Sequence, residues 1–329
     1  MTNMDYPWFA ELAQKLITAH ENQRLPHGLL IAAPKLSGKS NFARLLAKRL
    51  LCQATAKIQS ACEQCKSCLL FNAATHPDFY LIDKLVDNKG VQKKSIGIEQ
   101  IRELSDKLND TPQMGGWRVA IVQSVSAMTR ASFNALLKTL EEPKKQTLLI
   151  LLADNAQIVP ATIRSRCQLM SPVLNESLIL PWLIDTTGVD KNTAEIALSA
   201  CYMAPLAALA YIENDGAKQR ASVFKLLDDI LVNSLTPQDF IQQVNELAET
   251  EIVELIAEYL HQISKHKVSA LHTKYDAIPD KSLHQIYAKV LEFNRALLFS
   301  SNLQFQIQIE AILLLWFELG RKIKGQSKV

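Results

Sequence analysis

No apolar run in the 329-residue sequence is long enough to cross a bilayer as a helix. That excludes a helical membrane protein. The opening stretch, Met1 to Ala10, carries Asp5 and Pro7 and has no basic block ahead of an apolar one, so an export signal is not expected. A surplus of one charge sign is also missing: 36 Lys and Arg stand against 33 Asp and Glu, a net charge of +3. Nucleic-acid binders usually show a strong, clustered basic excess, so any DNA contact is expected to be local or shared with partners. Internal repeats and low-complexity tracts are absent. What the chain does have is 48% hydrophobic residues, enough for a substantial core, and a length that suits two or three domains. Its six cysteines, in a chain without an expected export signal, point to a reducing cytoplasm, where close cysteine clusters serve as metal ligands more often than as disulfides.

The first half alternates short apolar runs with helical periodicity. Leu29-Leu30-Ile31 reads as a buried strand running into the loop Ala33 to Ser37, after which Phe42, Leu45, Leu46 and Leu50 recur at helical spacing. Further strands are predicted at Phe79 to Ile82, Val119 to Val122 and Thr147 to Ala153. Helices are predicted through Ile98 to Leu108 and Phe133 to Leu140, ended near Pro112 and Pro143, with Gly115-Gly116 turning the chain. Such alternation predicts a doubly wound α/β domain with a parallel sheet. After Ser171-Pro172 the strands stop. Trp182 to Ile184, Ala194 to Cys201 and Leu206 to Ile212 suggest a small helical unit, and Asn214-Asp215-Gly216 a linker. Beyond it Val223, Leu226, Leu227 and Ile230, then Phe240, Val244 and Leu247, then Ile252, Leu255, Ile256 and Leu260 are spaced for amphipathic helices. The last helix, around Ile307 to Phe317, is apolar nearly all round, which fits burial inside a bundle or against another subunit.

Between the first strand and helix, Gly38, Lys39 and Ser40 meet the phosphate-loop pattern G-x-x-x-x-G-K-[ST], with Ala33 in place of its first glycine. In such loops backbone N–H groups curl around phosphates, the Lys pairs with them and the Ser binds magnesium; a Cβ at the first position restricts the curl. A strand-to-helix turn of small residues is the alternative reading. Hydrolysis further needs a carboxylate at the end of a later strand to hold magnesium, usually followed by a second acid. Here Val119 to Val122 runs into Gln123-Ser124, and neither carries a negative charge. Asp154 follows a different strand and reads as a solvated turn residue.

Cys52, Cys62, Cys65 and Cys68 have the spacing C-x9-C-x2-C-x2-C, with polar residues between the last three. Zinc takes four thiolates in a tetrahedron, and C-x2-C places two sulfurs on one tight turn. Four protein ligands leave no position for a substrate water, so the expected role of Zn2+ is structural. Basic residues near the quartet are few, Lys57 and Lys66, which argues against a zinc-dependent DNA-binding module. Cys167 and Cys201 stand apart as buried thiols.

Ser132-Phe133-Asn134-Ala135-Leu136-Leu137-Lys138-Thr139-Leu140-Glu141-Glu142-Pro143 resembles the helix that follows the metal-binding strand in bacterial clamp-loader subunits of the AAA+ class. Ile163-Arg164-Ser165-Arg166-Cys167 matches that family's Ser-Arg-Cys motif, and the quartet followed by His76-Pro77-Asp78 matches its zinc module. The likeness covers roughly residues 6 to 171. It implies an α/β AAA+ P-loop domain at 1–171 with a zinc-binding insertion at about 52–68, a small helical lid domain at 172–215, and an all-α collar domain at 216–329 that holds a five-subunit assembly.

The departures at Ala33, Gln123 and Ser124 place the chain with the family's non-motor subunits. By resemblance, Arg166 would act in trans as an arginine finger on the ATP of a neighbouring subunit, with Arg164 positional and Lys138 and Glu142 at an interface. Gly38, Lys39 and Ser40 would form a vestigial phosphate loop where ATP is not hydrolysed and weak binding stays open. The implied partners are the gamma or tau motor subunits, the delta subunit, the sliding clamp and primed DNA. An ATP-hydrolysing motor subunit of the same family is the alternative. Nothing in the sequence resembles a polymerase carboxylate constellation.

Overall fold

The computed structural model describes residues 6–54, 60–86, 93, 95–214, 216–268, 275–299 and 304–326. Met1 to Asp5, Lys57, most of the polar loop 83–94 and Asp215 of the expected linker therefore lie outside the described residues, wholly or in part. The chain forms two compact units, Met1–Ala210 and Tyr211–Val329.

In the first unit α1 (Ala10–Glu21) leads into β1 (Gly28–Ala32), α2 (Lys39–Leu51), α3 (Lys66–Asn72), β2 (Phe79–Ile82), α4 (Ile98–Asn109), β3 (Arg118–Val122), α5 (Arg130–Glu141), β4 (Thr147–Ala153), α6 (Ala161–Arg164) and β5 (Gln168–Met170). Helices α7 (Glu176–Thr187), α8 (Lys191–Ala200) and α9 (Pro205–Glu213) follow. All five strands pair in parallel, in the order β2-β3-β4-β1-β5. β1, β3 and β4 are buried at every position. Continuous apolar strands of this kind need both faces covered, which is what parallel sheets with crossover helices provide. One such face is filled by Ile101, Leu104 and Leu108 of α4 and Leu136 and Leu140 of α5, packed with Val122, Leu149 and Leu151.

Periodicity does not announce β5. It is three residues long and two of them are exposed; register with β1, Leu29 opposite Gln168, makes it a strand. Local chemistry sets several helix starts. The Thr129 hydroxyl accepts from Ser132 N at 3.2 Å, Asn175 caps α7, Asp190 caps α8, and Gly188 ends α7 in the left-handed region at φ 71°. Gly28 sits at a close approach: a Cβ there would stand 2.9 Å from Leu140 Cδ2, so that side chain would have to shift.

The second unit is helical, with α10 (Gly216–Leu231), α11 (Pro237–Gln243), α12 (Glu249–Val268), α13 (Asp280–Phe299) and α14 (Phe305–Gln326) around Leu227, Ile230, Phe240, Ile256, Val290 and Trp316. The expectation that one helix runs through Phe240, Val244 and Leu247 is corrected. α11 ends at Gln243, and Leu247 N bonds Val244 O in a tighter turn. The last helix turns Ile309, Ile312, Leu313, Trp316 and Leu319 into the bundle while leaving Ile307 and Leu314 exposed. At Gly320 a Cβ would meet Leu231 O at 1.8 Å, so only glycine lets α14 touch the end of α10.

Candidate functional site

Parallel register lines up the carboxyl ends of four neighbouring strands. Ala32 pairs with Ala153, Leu151 with Val122, and Val122 with Ile82. The residues that follow, Ala33, Asp154 and Gln123, therefore share one edge of the sheet, where ligands of open α/β folds bind. The loop 33–38 leads into α2 there, and Gly38 carries φ +89°. Lys39 lies directly beyond it and is buried. Its ammonium donates to Ala33 O at 2.9 Å, Pro34 O at 3.1 Å and Asp154 Oδ1 at 2.7 Å. An ammonium has three donors, and all three are taken by this chain.

Asp154 keeps the partial exposure expected of a turn residue but is not free, since its carboxylate pairs with Lys39. The adjacency of β1 and β4 brings it onto Lys39, a contact that a span of 115 residues hides from the sequence. Ser40 is similarly occupied: its hydroxyl accepts from Gln123 Nε2 at 2.7 Å, while Gln123 Oε1 is buried and meets no donor among the described residues.

Aromatic side chains lie over the loop. Tyr6 and Trp8 stack at 5.0 Å with an interplanar angle of 5°, and Trp182 of α7 meets both edge-on. Trp8 Nε1 donates to Ser37 O at 2.8 Å, and Asn41 Nδ2 donates to Tyr6 OH at 2.9 Å. The Tyr6 ring stands so close to the loop that a Cβ on Gly38 would be 2.3 Å from its Cε2. From the other side, Leu206 N of α9 donates to Leu36 O at 3.0 Å. The head of α2, whose free N–H groups would otherwise suit a phosphate, is covered by the chain itself. Magnesium does not fit these residues, since the Ser40 hydroxyl is engaged and Gln123 stands where a carboxylate would be needed.

The four cysteines come together at the end of α2 and the start of α3. Their sulfurs all lie within 4.8 Å of one another, with Cys52 to Cys65 and Cys62 to Cys68 both at 4.0 Å. Ligands about 2.3 Å from a central zinc in a tetrahedron would be about 3.8 Å apart, so the quartet fits that ion. Backbone N–H groups of Cys62, Cys65 and Cys68 point at the sulfurs of Cys52, Cys62 and Cys65 at 3.3 to 3.4 Å, donors that favour thiolate. Burial pushes the Cys68 thiol up to about 12. Burial also acts against Cys65 ionisation, but hydrogen bonds from the Cys68 and Gln53 backbones and from neighbouring thiols bring its thiol below the usual value. Cys167 and Cys201 are only partly buried; burial raises the Cys167 thiol to about 11.

His76-Pro77-Asp78 fastens this module to the sheet. His76 Nδ1 accepts from Asp78 N at 3.1 Å, which assigns the ring proton to Nε2. That nitrogen donates to Ser67 Oγ at 2.8 Å, and Ser67 donates to Leu51 O at 2.5 Å. The buried Asp78 carboxylate accepts from Gln113 N and Met114 N, both at 2.8 Å. Burial holds His76 below the ordinary histidine value.

Arg166 follows α6 at the opposite end of the sheet. Gln168 is level with Leu29, four residues before Ala33, so at ~3.3 Å per residue about 13 Å of strand separates that level from the loop. The fold does not bring Arg166 to its own phosphate loop. Its Nη1 donates to Thr162 O at 2.8 Å and Ser165 Oγ at 3.3 Å, and its Nη2 pairs with Glu141 Oε1 at 2.6 Å. Arg164 is exposed. Lys138 and Glu142 are exposed and line a groove between α4 and α5 with Arg102, Asn109, Asn134 and Lys144; among the described residues no ion pair joins the two. Sequence reasoning assigned no site role to Tyr6, Trp8, Trp182 or Glu141, because their contacts join residues far apart in the chain.

The sheet, the loop at the head of α2 and the thiol quartet define a P-loop-type α/β protein with a four-cysteine site able to hold a metal ion. A family profile described as "DNA polymerase III, delta subunit" matches residues 9–172. DNA polymerase III subunit delta' of Yersinia pestis is 32% identical over 76% of this chain and 72% of its own length. The Escherichia coli protein of the same description is 34% identical over 68% and 65%, and that of Haemophilus influenzae 29% over 80% and 78%. A DNA polymerase III, gamma subunit-related protein from Thermotoga maritima shares the fold, with a TM-score of 0.53 at 17% identity over 93% of this chain and 99% of that one. The chain belongs to the DNA polymerase III subunit delta' family, a family of DNA replication. Among the described residues no single helix is long and apolar enough to cross a membrane.

Proposed function

We propose that this chain is the non-motor subunit of a cytoplasmic replicative clamp loader, a stator that helps place the sliding clamp on primed DNA beside gamma or tau motor subunits and delta. The observation that carries the reading is the state of the loop: Lys39 is held by Ala33, Pro34 and Asp154, and Gln123 holds Ser40. A loop whose ammonium and magnesium-binding hydroxyl are both engaged at home is poorly prepared for nucleotide. With Gln123-Ser124 in place of acids, it is unprepared for hydrolysis.

On this reading residues 1–171 form the AAA+ domain, 172–215 a lid and 216–329 the collar. Cys52, Cys62, Cys65 and Cys68 hold a structural zinc that fixes the start of α3. Arg166 serves a neighbour's ATP; its guanidinium is always charged and can fork to phosphate oxygens as charge develops. Its distance from its own loop supports action in trans. The chain contributes to a polymerase holoenzyme without polymerising.

The test has two arms. The isolated chain is expected to show no ATP turnover, and turnover abolished by Lys39→Ala would overturn the stator reading in favour of a motor subunit. In the reconstituted loader with clamp and primed DNA, Arg166→Ala is expected to lower turnover at the adjoining site by on the order of a thousandfold with assembly intact. Unchanged turnover in an intact assembly would return Arg166 to an ordinary surface ion pair.

A further inference from the structure

Glu141 is the last residue of α5. An acid there faces the negative end of the helix dipole and is followed by a second acid, Glu142, so helix stability does not explain its place. Its carboxylate instead meets Arg166, which comes from 25 residues further along the chain, at 2.6 Å. The backbone beneath it is fixed, because His27 Nε2 bonds Leu140 O at 2.9 Å, immediately before Glu141. On the arginine, Nη1 is already used by Thr162 O and Ser165 Oγ and Nη2 by Glu141. Both terminal nitrogens are therefore engaged within the chain, and the adjacent carboxylate neutralises the charge that a phosphate would sense.

We infer that Glu141 is a positioning residue that parks Arg166, and that this pair must open before the guanidinium reaches the phosphates of a neighbouring subunit. The inference rests on the trans-acting reading of Arg166 and adds its regulation. The latch is weak by construction. The two side chains are 35% and 49% exposed, and exposed pairs of this kind shift a two-state balance only about 1.4- to 5-fold. A weak, solvent-screened pair can hold the finger in the free subunit and yield to a phosphate, which offers more charge and a better fork.

The experiment compares wild type, Glu141→Gln, Arg166→Ala and the double variant in the reconstituted loader, measuring clamp- and DNA-stimulated ATP turnover from low to high NaCl. Glu141→Gln is expected to raise turnover about 1.4- to 5-fold at low salt, with the gain fading as salt screens the wild-type pair. The double variant should match Arg166→Ala. If Arg166→Ala impairs turnover but Glu141→Gln brings no gain, the latch is overturned and the finger stands. A gain that persists without Arg166 also overturns the latch. If Arg166→Ala changes nothing, the finger falls and the latch with it. Independently of assembly, the Arg166 guanidinium protons of the isolated chain should exchange with solvent faster in Glu141→Gln, and equal exchange would refute the pairing.

Discussion

Replacing Gly38 with alanine tests whether the chain itself fills the space above the phosphate loop. Two penalties are expected, and they separate. The backbone holds φ +89°, where an L-residue costs roughly 1–2 kcal/mol more than glycine. The added methyl would also stand 2.3 Å from the Tyr6 ring, and overpacking of this kind typically costs about 1–3 kcal/mol. Gly38→Ala should therefore destabilise the first unit by about 2–5 kcal/mol. At roughly 2–4 °C per kcal/mol for a unit of this size, its melting temperature should fall by between about 4 and 20 °C. Trp8, Trp117 and Trp182 lie in this unit, so tryptophan fluorescence during urea unfolding reports on it. Tyr6→Ala removes the clash and leaves the dihedral penalty, so the double-mutant cycle should return a coupling of about 1–3 kcal/mol that offsets the single-mutant losses. A coupling near zero would mean that Tyr6 does not occupy the seat, and the account of a self-filled loop would fail.

Stripping metal with a strong chelator, or Cys62→Ser with Cys65→Ser, should lower the melting temperature and release about one zinc per chain by elemental analysis; no bound metal in protein purified without chelator would refute the structural-zinc reading. Acidification should weaken the fold through His76. Burial depresses its folded value below 6.5, so the unfolded chain takes up the proton first; stability is full above about pH 7.5 and falls as pH drops through 6.5. Urea midpoints measured from pH 8 to 5 should show this slope, at most about 1.4 kcal/mol per pH unit from this group, and His76→Gln should flatten it. Gly320→Ala should cost more than about 3 kcal/mol in the helical unit, because its Cβ would stand 1.8 Å from a backbone oxygen of Leu231 that cannot swing aside. A midpoint within error of wild type would show that α14 does not approach α10 as described.

Much of the fold could be read locally. Strands β1, β3 and β4 hold short continuous apolar runs and α4 and α5 carry clean helical spacing, so the parallel α/β arrangement follows from fully buried runs alternating with a period of 3.6. The phosphate loop and the cysteine quartet were legible for the same reason, since the groups they unite lie within eight and seventeen residues of sequence. β5 was not legible, because two of its three residues face outward and its neighbour alone makes it a strand. Leu247 kept a helical spacing beyond the point where α11 ends, which shows that spacing survives a turn of different pitch.

By itself, then, the sequence determined the candidate metal site, the alternation of β1 to β4 with α2, α4 and α5, and the missing acids after β3. Whether the loop is open to a phosphate, and where the charged groups point, depended on contacts between residues far apart in the chain. Lys39 meets Asp154 because β1 and β4 are neighbours, Trp8 meets Trp182 because α7 returns to the loop, and Arg166 meets Glu141 because α6 follows α5 in space. Register and packing set those distances, and both belong to the assembled sheet and its helices rather than to any local run of residues.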